Sequence, residues 1–229
     1  MDMLTLILAE SELELIPESL VKDSRILASA GRRGKHPGEM ILDSSMHHGA
    51  MHRLPEYERR GRPDITHLFL LVSLESIVNK QGGLRVMIHT RNDEVIMVDS
   101  ETRIIKNYDR FLGLMEQLFQ KTVIPDKEQP LLRLRKKVPL LRLLEETPGD
   151  VHIVCSTEGE PVRLPQYFSG LKEKSKQDVV CVIGGFPKGD FHTVFTDTVD
   201  ACISIYPEMV PAWTVANELL VNYENIFFV

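Results

Sequence analysis

Four short runs of this chain are apolar from end to end, and such runs fold into the middle of a covered sheet. The first opens a predicted strand over residues 3–14. There Leu4, Leu6 and Leu8 alternate with Thr5, Ile7 and Ala9, so both faces of the strand are apolar or nearly so. The other three, at 151–155, 179–183 and 201–205, are β-rich, and each ends in a turn of polar residues, Gly or Pro. Those turns are Ser156-Thr157-Glu158-Gly159, Gly184-Gly185-Phe186-Pro187-Lys188-Gly189 and Tyr206-Pro207-Glu208. Strands of this kind, separated by helical or loop segments, imply an α/β fold with a parallel, covered sheet.

The remaining segments fill in around that sheet. A helix is expected over 17–30, stopped by Gly31, followed by a basic loop at 31–38 and a short strand end at 41–43. Residues 65–73 suit either strand or helix. Strands at 84–90 and 94–99 flank the turn Arg91-Asn92-Asp93 as a hairpin. A helix is expected over 107–120, with Asn107 as its N-cap and Phe111, Leu114, Met115 and Leu118 on its apolar face. Leucines mixed with cations at 131–144 read as an amphipathic helix limited by Pro139. A last helix over 211–226 places Val215, Leu219, Leu220, Tyr223 and Ile226 on one face.

With 43% hydrophobic residues in 229, the chain has enough apolar mass for a packed core. No apolar stretch approaches the ~18 residues a membrane span needs. The start, Met1-Asp2-Met3-Leu4, has no basic region before its apolar run, so no secretory signal is expected. Cys155, Cys181 and Cys202 are odd in number and lack CxxC spacing, which suggests buried thiols in a reducing, cytoplasmic setting. The net charge of −6 hides an asymmetry: residues 1–142 balance at +2 and residues 143–229 at −8. The first part is suited to face a polyanion and the last is not.

Several motifs carry chemistry. Glycines 184, 185 and 189 lie in a loop after an apolar strand, where α/β sheets bind ligands. Lys188 is followed by Gly189 rather than Ser or Thr, so this is no phosphate-binding P-loop, and the acidic surroundings suit a neutral or cationic cofactor. Arg103, Lys106 and Arg110 recur at i, i+3 and i+7, offsets that share one face on a helix or its lead-in. Such a row suits either phosphates or an ordinary solvated face with Glu101 and Asp109 as neighbours. In Arg62-Pro63-Asp64 the proline stiffens a turn and the carboxylate is placed to hold the arginine in one rotamer. His47, His48 and His52 lack a convincing third ligand, so no metal site is expected. There is no Ser-His-Asp order and no glycosidase-type carboxylate pair.

The stretches Arg62-Pro63-Asp64-Ile65-Thr66-His67, Thr102-Arg103-Ile104 and Asp109-Arg110-Phe111-Leu112-Gly113-Leu114-Met115 resemble the nucleolar essential protein family. Those proteins are ribosome-biogenesis methyltransferases that act on a pseudouridine of small-subunit rRNA. The loop 184–189 and the stretch Ile203-Ser204-Ile205-Tyr206-Pro207 match as well, and the short N-terminus looks like an archaeal form. The resemblance implies a SPOUT-type α/β fold with a C-terminal trefoil knot, a homodimer, and S-adenosyl-L-methionine bound by the knot loops. It implies a single domain over 1–229, with an RNA-binding insertion around 31–110 and a cofactor-binding knot region about 151–229. By position, Arg62, Arg103, Lys106 and Arg110 would bind rRNA, and Asp64 would orient Arg62. Lys106 stands where eukaryotic members usually carry arginine, which keeps the charge and loses the fork. Cys155, Gly184, Gly189, Asp190, Phe191 and residues Ile203, Ser204, Ile205, Tyr206, Pro207 and Glu208 would bind the cofactor.

The expected reaction is methyl transfer to the N1 ring nitrogen of a pseudouridine, with no general base assigned. Two rival readings stay open. One is a related enzyme acting on tRNA or a ribose hydroxyl. The other is a non-catalytic assembly factor that clamps rRNA, with other ribosome assembly proteins as possible partners.

Overall fold

A computed structural model describes residues 2–126, 128–195 and 197–228. Among these the strands form one eight-stranded sheet, in the order β4-β5-β3-β2-β1-β7-β6-β8. The strands are β1 (Leu4–Ser11), β2 (Leu84–Thr90), β3 (Glu94–Val98), β4 (Val123–Ile124), β5 (Leu132–Lys136), β6 (Val151–Pro161), β7 (Val179–Gly184) and β8 (Ala201–Ser204). The helices are α1 (Ser24–Arg33), α2 (Ser44–Met51), α3 (Pro63–Glu75), α4 (Ile77–Lys80), α5 (Tyr108–Lys121), α6 (Leu140–Glu146), α7 (Leu164–Glu173) and α8 (Ala212–Phe227).

The four apolar runs lie side by side. β1 pairs in parallel with β2 and β7, β7 with β6, and β6 with β8. All eight residues of β1 are buried because helices cover both of its faces. Leu4, Leu6 and Leu8 share a core with Val179, Cys181 and Ile183 of β7 and with Phe69 of α3 and Leu219 of α8. The alternate residues Ile7, Ala9, Val180 and Val182 pack against Leu140, Leu143 and Leu144 of α6. The two-residue period thus divides one strand between two cores, and each fully buried aliphatic side chain contributes about 2 kcal/mol.

The sheet is mixed rather than parallel throughout. The β2–β3 hairpin turns the chain back, and β5 and β4 extend the antiparallel edge. This corrects the amphipathic helix expected over 131–144. Residues 132–136 alternate Leu, Arg, Leu, Arg, Lys, a two-residue period that buries Leu132 and Leu134, and the helix starts only after Pro139. The first helix also differs from expectation. It begins at Ser24 behind an Asp23 N-cap and runs through Gly31 to a left-handed Gly34 at φ 60°. Residues 65–73 resolve as helix, with Pro63 in the first turn and Arg62 at the N-cap.

Ile16, Leu20, Ile26, Met40, Leu42 and Met51 form a separate apolar cluster outside the sheet. Glu116 of α5 ties this lobe down. Its buried carboxylate accepts from the backbone N–H of Ile41 at 3.2 Å and pairs with Arg33 at 3.0 Å and with Lys35. Among the described residues no helix is long and apolar enough to cross a membrane.

Candidate cofactor and RNA site

A cavity of about 430 Å³ opens at the carboxyl ends of β6, β7 and β8, where parallel sheets present their loops. Its walls come from residues far apart in sequence because crossover connections bring those three strand ends together. Cys155 lines it from β6, Gly184 from β7 and Ile203 from β8. Gly189, Asp190 and Phe191 close one side, and Ile205, Tyr206 and Glu208 another. The first turn of α8 adds Trp213.

Two residues expected at a cofactor site stand back from this cavity. Ser204 is buried, and its hydroxyl donates to the Tyr206 carbonyl at 2.9 Å, so it shapes the turn from behind. Pro207 lies outside the lining as well.

The polar turn expected at 156–159 is in fact part of a long, irregular β6. Both Cys155 and Glu160 pair with Ile203, so the strand loops around that residue. A Cβ on Gly159 would lie 2.5 Å from the carbonyl carbon of Ile203 and 2.7 Å from that of Cys202. Only glycine permits so close a backbone approach.

Arg62 lines the same cavity. Its Nε and Nη2 donate to the two carboxylate oxygens of Asp64, each at 2.8 Å. That fork fixes the guanidinium plane and leaves Nη1 without a protein partner among the described residues. The Asp64 bond, with the negative charges of Asp64 and Asp43, raises the Arg62 pKa further, so the cation is permanent. Tyr108 donates to Asp43 at 2.6 Å, and burial followed by that bond pushes its phenol well above the usual range. Tyr108 therefore stays neutral and is no candidate base.

Arg103, Lys106 and Arg110 do not line the cavity, and all three are exposed. Only Arg110 is helical. Arg103 and Lys106 lie in the non-helical lead-in, where buried Thr102 and Ile104 flank Arg103. That lead-in is anchored by the Thr102 hydroxyl, which donates to the Leu131 carbonyl at 3.0 Å. His67 Nε2 donates to the Ile105 carbonyl, 2.8 Å away, and its ring stacks on Phe111, which fixes the segment from the other side.

Cys155 borders the cavity, but burial and nearby Cys202 push its thiol up to about 12, so it is neither nucleophile nor base near neutrality. Cys181 is buried as expected. Cys202 is exposed, because β8 is the uncovered edge of the sheet. His48 and His52 meet ring to ring at 4.7 Å, and among the described residues no cluster of three metal-ligating side chains occurs.

Sequence reasoning passed over several residues at this site. Phe186, in the glycine loop 184–189, is buried and lines the cavity. Arg59, in the run Arg59-Arg60-Gly61-Arg62, looks in isolation like a solvated basic turn. The available signal was the alternation of Glu10, Glu12 and Glu14, three carboxylates on one face at the end of an apolar strand, which require cationic partners.

The family model described as EMG1/NEP1 methyltransferase matches residues 6–224. The ribosomal RNA small subunit methyltransferase Nep1 of Thermococcus kodakarensis is 50% identical over 222 residues, covering 97% of this chain and 98% of the relative. Its counterpart from Methanothrix thermoacetophila is 47% identical over 223 residues, covering 97% and 96%. The crystal structure of Archaeoglobus fulgidus Nep1 bound to S-adenosylhomocysteine matches with a TM-score of 0.84 and 33% identity, over 100% of both chains. Sequence and backbone agree over almost the whole length: this chain belongs to the EMG1/NEP1 methyltransferase family.

Proposed function

We propose that this protein is an S-adenosylmethionine-dependent methyltransferase that modifies N1 of a pseudouridine in small-subunit rRNA. One observation carries the reading: Arg62 shares a single cavity with the loops expected to hold the cofactor. The archaeal relatives are named for small-subunit rRNA methylation, and the Archaeoglobus protein binds the demethylated cofactor.

The cavity residues fit such a cofactor. Ile183, Ile203 and Ile205 supply flat apolar walls for a purine, and Asp190 and Glu208 supply carboxylates for hydroxyl or ammonium groups. Gly189, at φ 78°, turns the loop in a way that other residues adopt at a cost. The bound cofactor would supply an already activated methyl group. The chain's task is then to bind, orient and exclude water. Arg62 is placed to meet the target base, and its unpaired Nη1 suits the negative charge that develops on a base carbonyl as the ring N–H is lost.

The exposed cations Arg103, Lys106 and Arg110 would track the RNA backbone outside the cavity. Residues around 31–110, which contribute part of the apolar lobe and this row, would serve as the RNA-binding insertion. The wrapping of β6 around Ile203 supports the trefoil knot expected of the 151–229 region. Exposed Val194, Tyr206 and Met209 on loops at this end support pairing of two copies there. Free thiols at all three cysteines support a cytoplasmic setting.

The direct test supplies methyl-labelled S-adenosylmethionine and a short small-subunit rRNA hairpin, with either pseudouridine or uridine at one loop position. Label is expected on the pseudouridine hairpin alone. Equal label on both would remove the N1 assignment, and tight RNA binding with no label would favour the assembly clamp. Arg103→Ala and Arg110→Ala should each flatten the plot of log affinity against log salt by ~0.7 to 0.9, one phosphate contact, in anisotropy titrations. An unchanged slope would place the row away from RNA.

A further inference from the structure

Arg59 is buried, and each of its donor nitrogens has a partner. Nε donates to Glu12 at 3.0 Å, Nη2 to Glu10 at 3.0 Å and Nη1 to the Asp190 carbonyl at 2.6 Å. Its guanidinium carbon lies 3.8 Å from the centre of the Phe186 ring. Glu10 reaches the same loop, accepting from the backbone N–H groups of His192 at 2.8 Å and Thr193 at 2.7 Å. Between these anchors, Phe191 packs edge-on against Phe186 at 5.2 Å.

The loop is also stitched to β1 by backbone. Gly185 N–H donates to the Ala9 carbonyl at 2.7 Å, and Glu12 N–H to the Gly185 carbonyl at 3.1 Å. At this point β1 shifts register between Leu8 and Ser11, and Glu10 takes a left-handed φ of 50°. Irregularities of this kind re-aim a side chain at the cost of local strain. Here the re-aimed side chain is the carboxylate that holds both Arg59 and the loop.

We infer that Arg59 is a positioning residue for the cofactor site: with Glu10 it clamps the 184–193 loop against β1 in the form that walls the cavity. The inference rests on the proposed reading of that cavity as the S-adenosylmethionine site. Arg59 touches no reacting atom. It acts through Phe186 and Asp190, which line the cavity. The role demands arginine, because an ammonium lacks the flat face that covers Phe186 and carries its donors on one nitrogen, too compact to reach Glu10, Glu12 and Asp190 together. The pairing also explains why a cation next to the RNA-facing Arg62 is withheld from RNA: its hydrogen bonds are spent inside the protein.

Trp213 lines the cavity and is the only tryptophan in the sequence, so its fluorescence reports occupancy directly. Titrating wild type with S-adenosylhomocysteine tests the cofactor reading first. A wild type that binds none overturns that reading, clamp included. Given wild-type binding, Arg59→Lys should weaken S-adenosylhomocysteine about tenfold and raise the KM for S-adenosylmethionine to match. Its kcat at saturation should stay within about twofold, and its affinity for the rRNA hairpin should not change. Undiminished S-adenosylhomocysteine affinity would overturn the clamp alone. Proportionate losses of cofactor and RNA affinity would also overturn it, by showing a general loosening of the fold. If circular dichroism finds Arg59→Lys unfolded, Glu10→Gln takes its place, with the same expected split and the same overturning outcomes.

Discussion

Gly159→Ala is expected to lower the thermal midpoint by about 10 °C and to abolish S-adenosylhomocysteine binding. The added methyl would sit 2.5 to 2.7 Å from backbone atoms of Cys202 and Ile203, well inside contact distance. Those atoms cannot step aside cheaply. Ile203 is paired with both Cys155 and Glu160, and the next residue accepts from Val162 N–H at 2.9 Å. Relief must come from displacing β8 or opening β6, and overpacking of this kind costs about 3 kcal/mol. Either movement carries Ile203 and Ile205 out of the cavity wall. Scanning fluorimetry and calorimetry check both halves of the expectation. A variant with a native midpoint and native binding would show that the β6–β8 crossing is pliable.

Arg62→Ala is expected to slow single-turnover methyl transfer by about 100-fold while S-adenosylhomocysteine affinity stays within a few-fold of wild type. The side chain sits in the cavity with two nitrogens committed to Asp64 and a third available to a base. Its removal takes away the one permanent cation in the cavity lining among the described residues. Arg62→Lys should recover only part of the rate, since an ammonium cannot keep the planar fork with Asp64. Rapid-quench measurement with saturating enzyme separates this loss from weakened RNA binding. A wild-type rate in the alanine variant would remove Arg62 from the chemistry.

The strands and loops that build the cavity were legible because their signal is local. A run such as Val179–Gly184 is apolar on both faces and ends in glycine, so strand, burial and ligand-facing loop can be read together. Asn107 was legible as a cap for the same reason: the pattern that identifies it lies within three residues, and its side chain accepts from Arg110 N–H at 3.0 Å. The segment 131–144 failed because leucines mixed with cations fit periods of two and of three to four over so few residues. Only pairing with β3 settles the matter, through contacts some forty residues away. Arg59 and Phe186 were illegible for a related reason. An arginine in a basic turn looks solvated until the fold brings Glu10, Glu12 and Asp190 around it from positions 49, 47 and 131 residues distant. The Arg103 row was legible as charge, with helix and lead-in both open; the burial of Thr102 and Ile104 on either side of Arg103 decides for the lead-in at that residue.

The buried carboxylates of Glu10, Glu12 and Glu14 meet buried Arg59 and Arg60 and half-buried Arg91 in one network, with Arg60 bidentate to Glu14 at 2.8 and 2.7 Å and Arg91 donating to Glu12 at 2.6 Å. Heating acts on such a network differently from an apolar contact. The hydration that charged groups give up on burial becomes less favourable as temperature rises, so the penalty for keeping the five buried charges out of water shrinks while the gain per unit of apolar area levels off. The loop beside the cavity is therefore fastened by the part of the protein whose relative strength grows with temperature, and the site should hold its shape closer to the unfolding transition than apolar packing alone would allow.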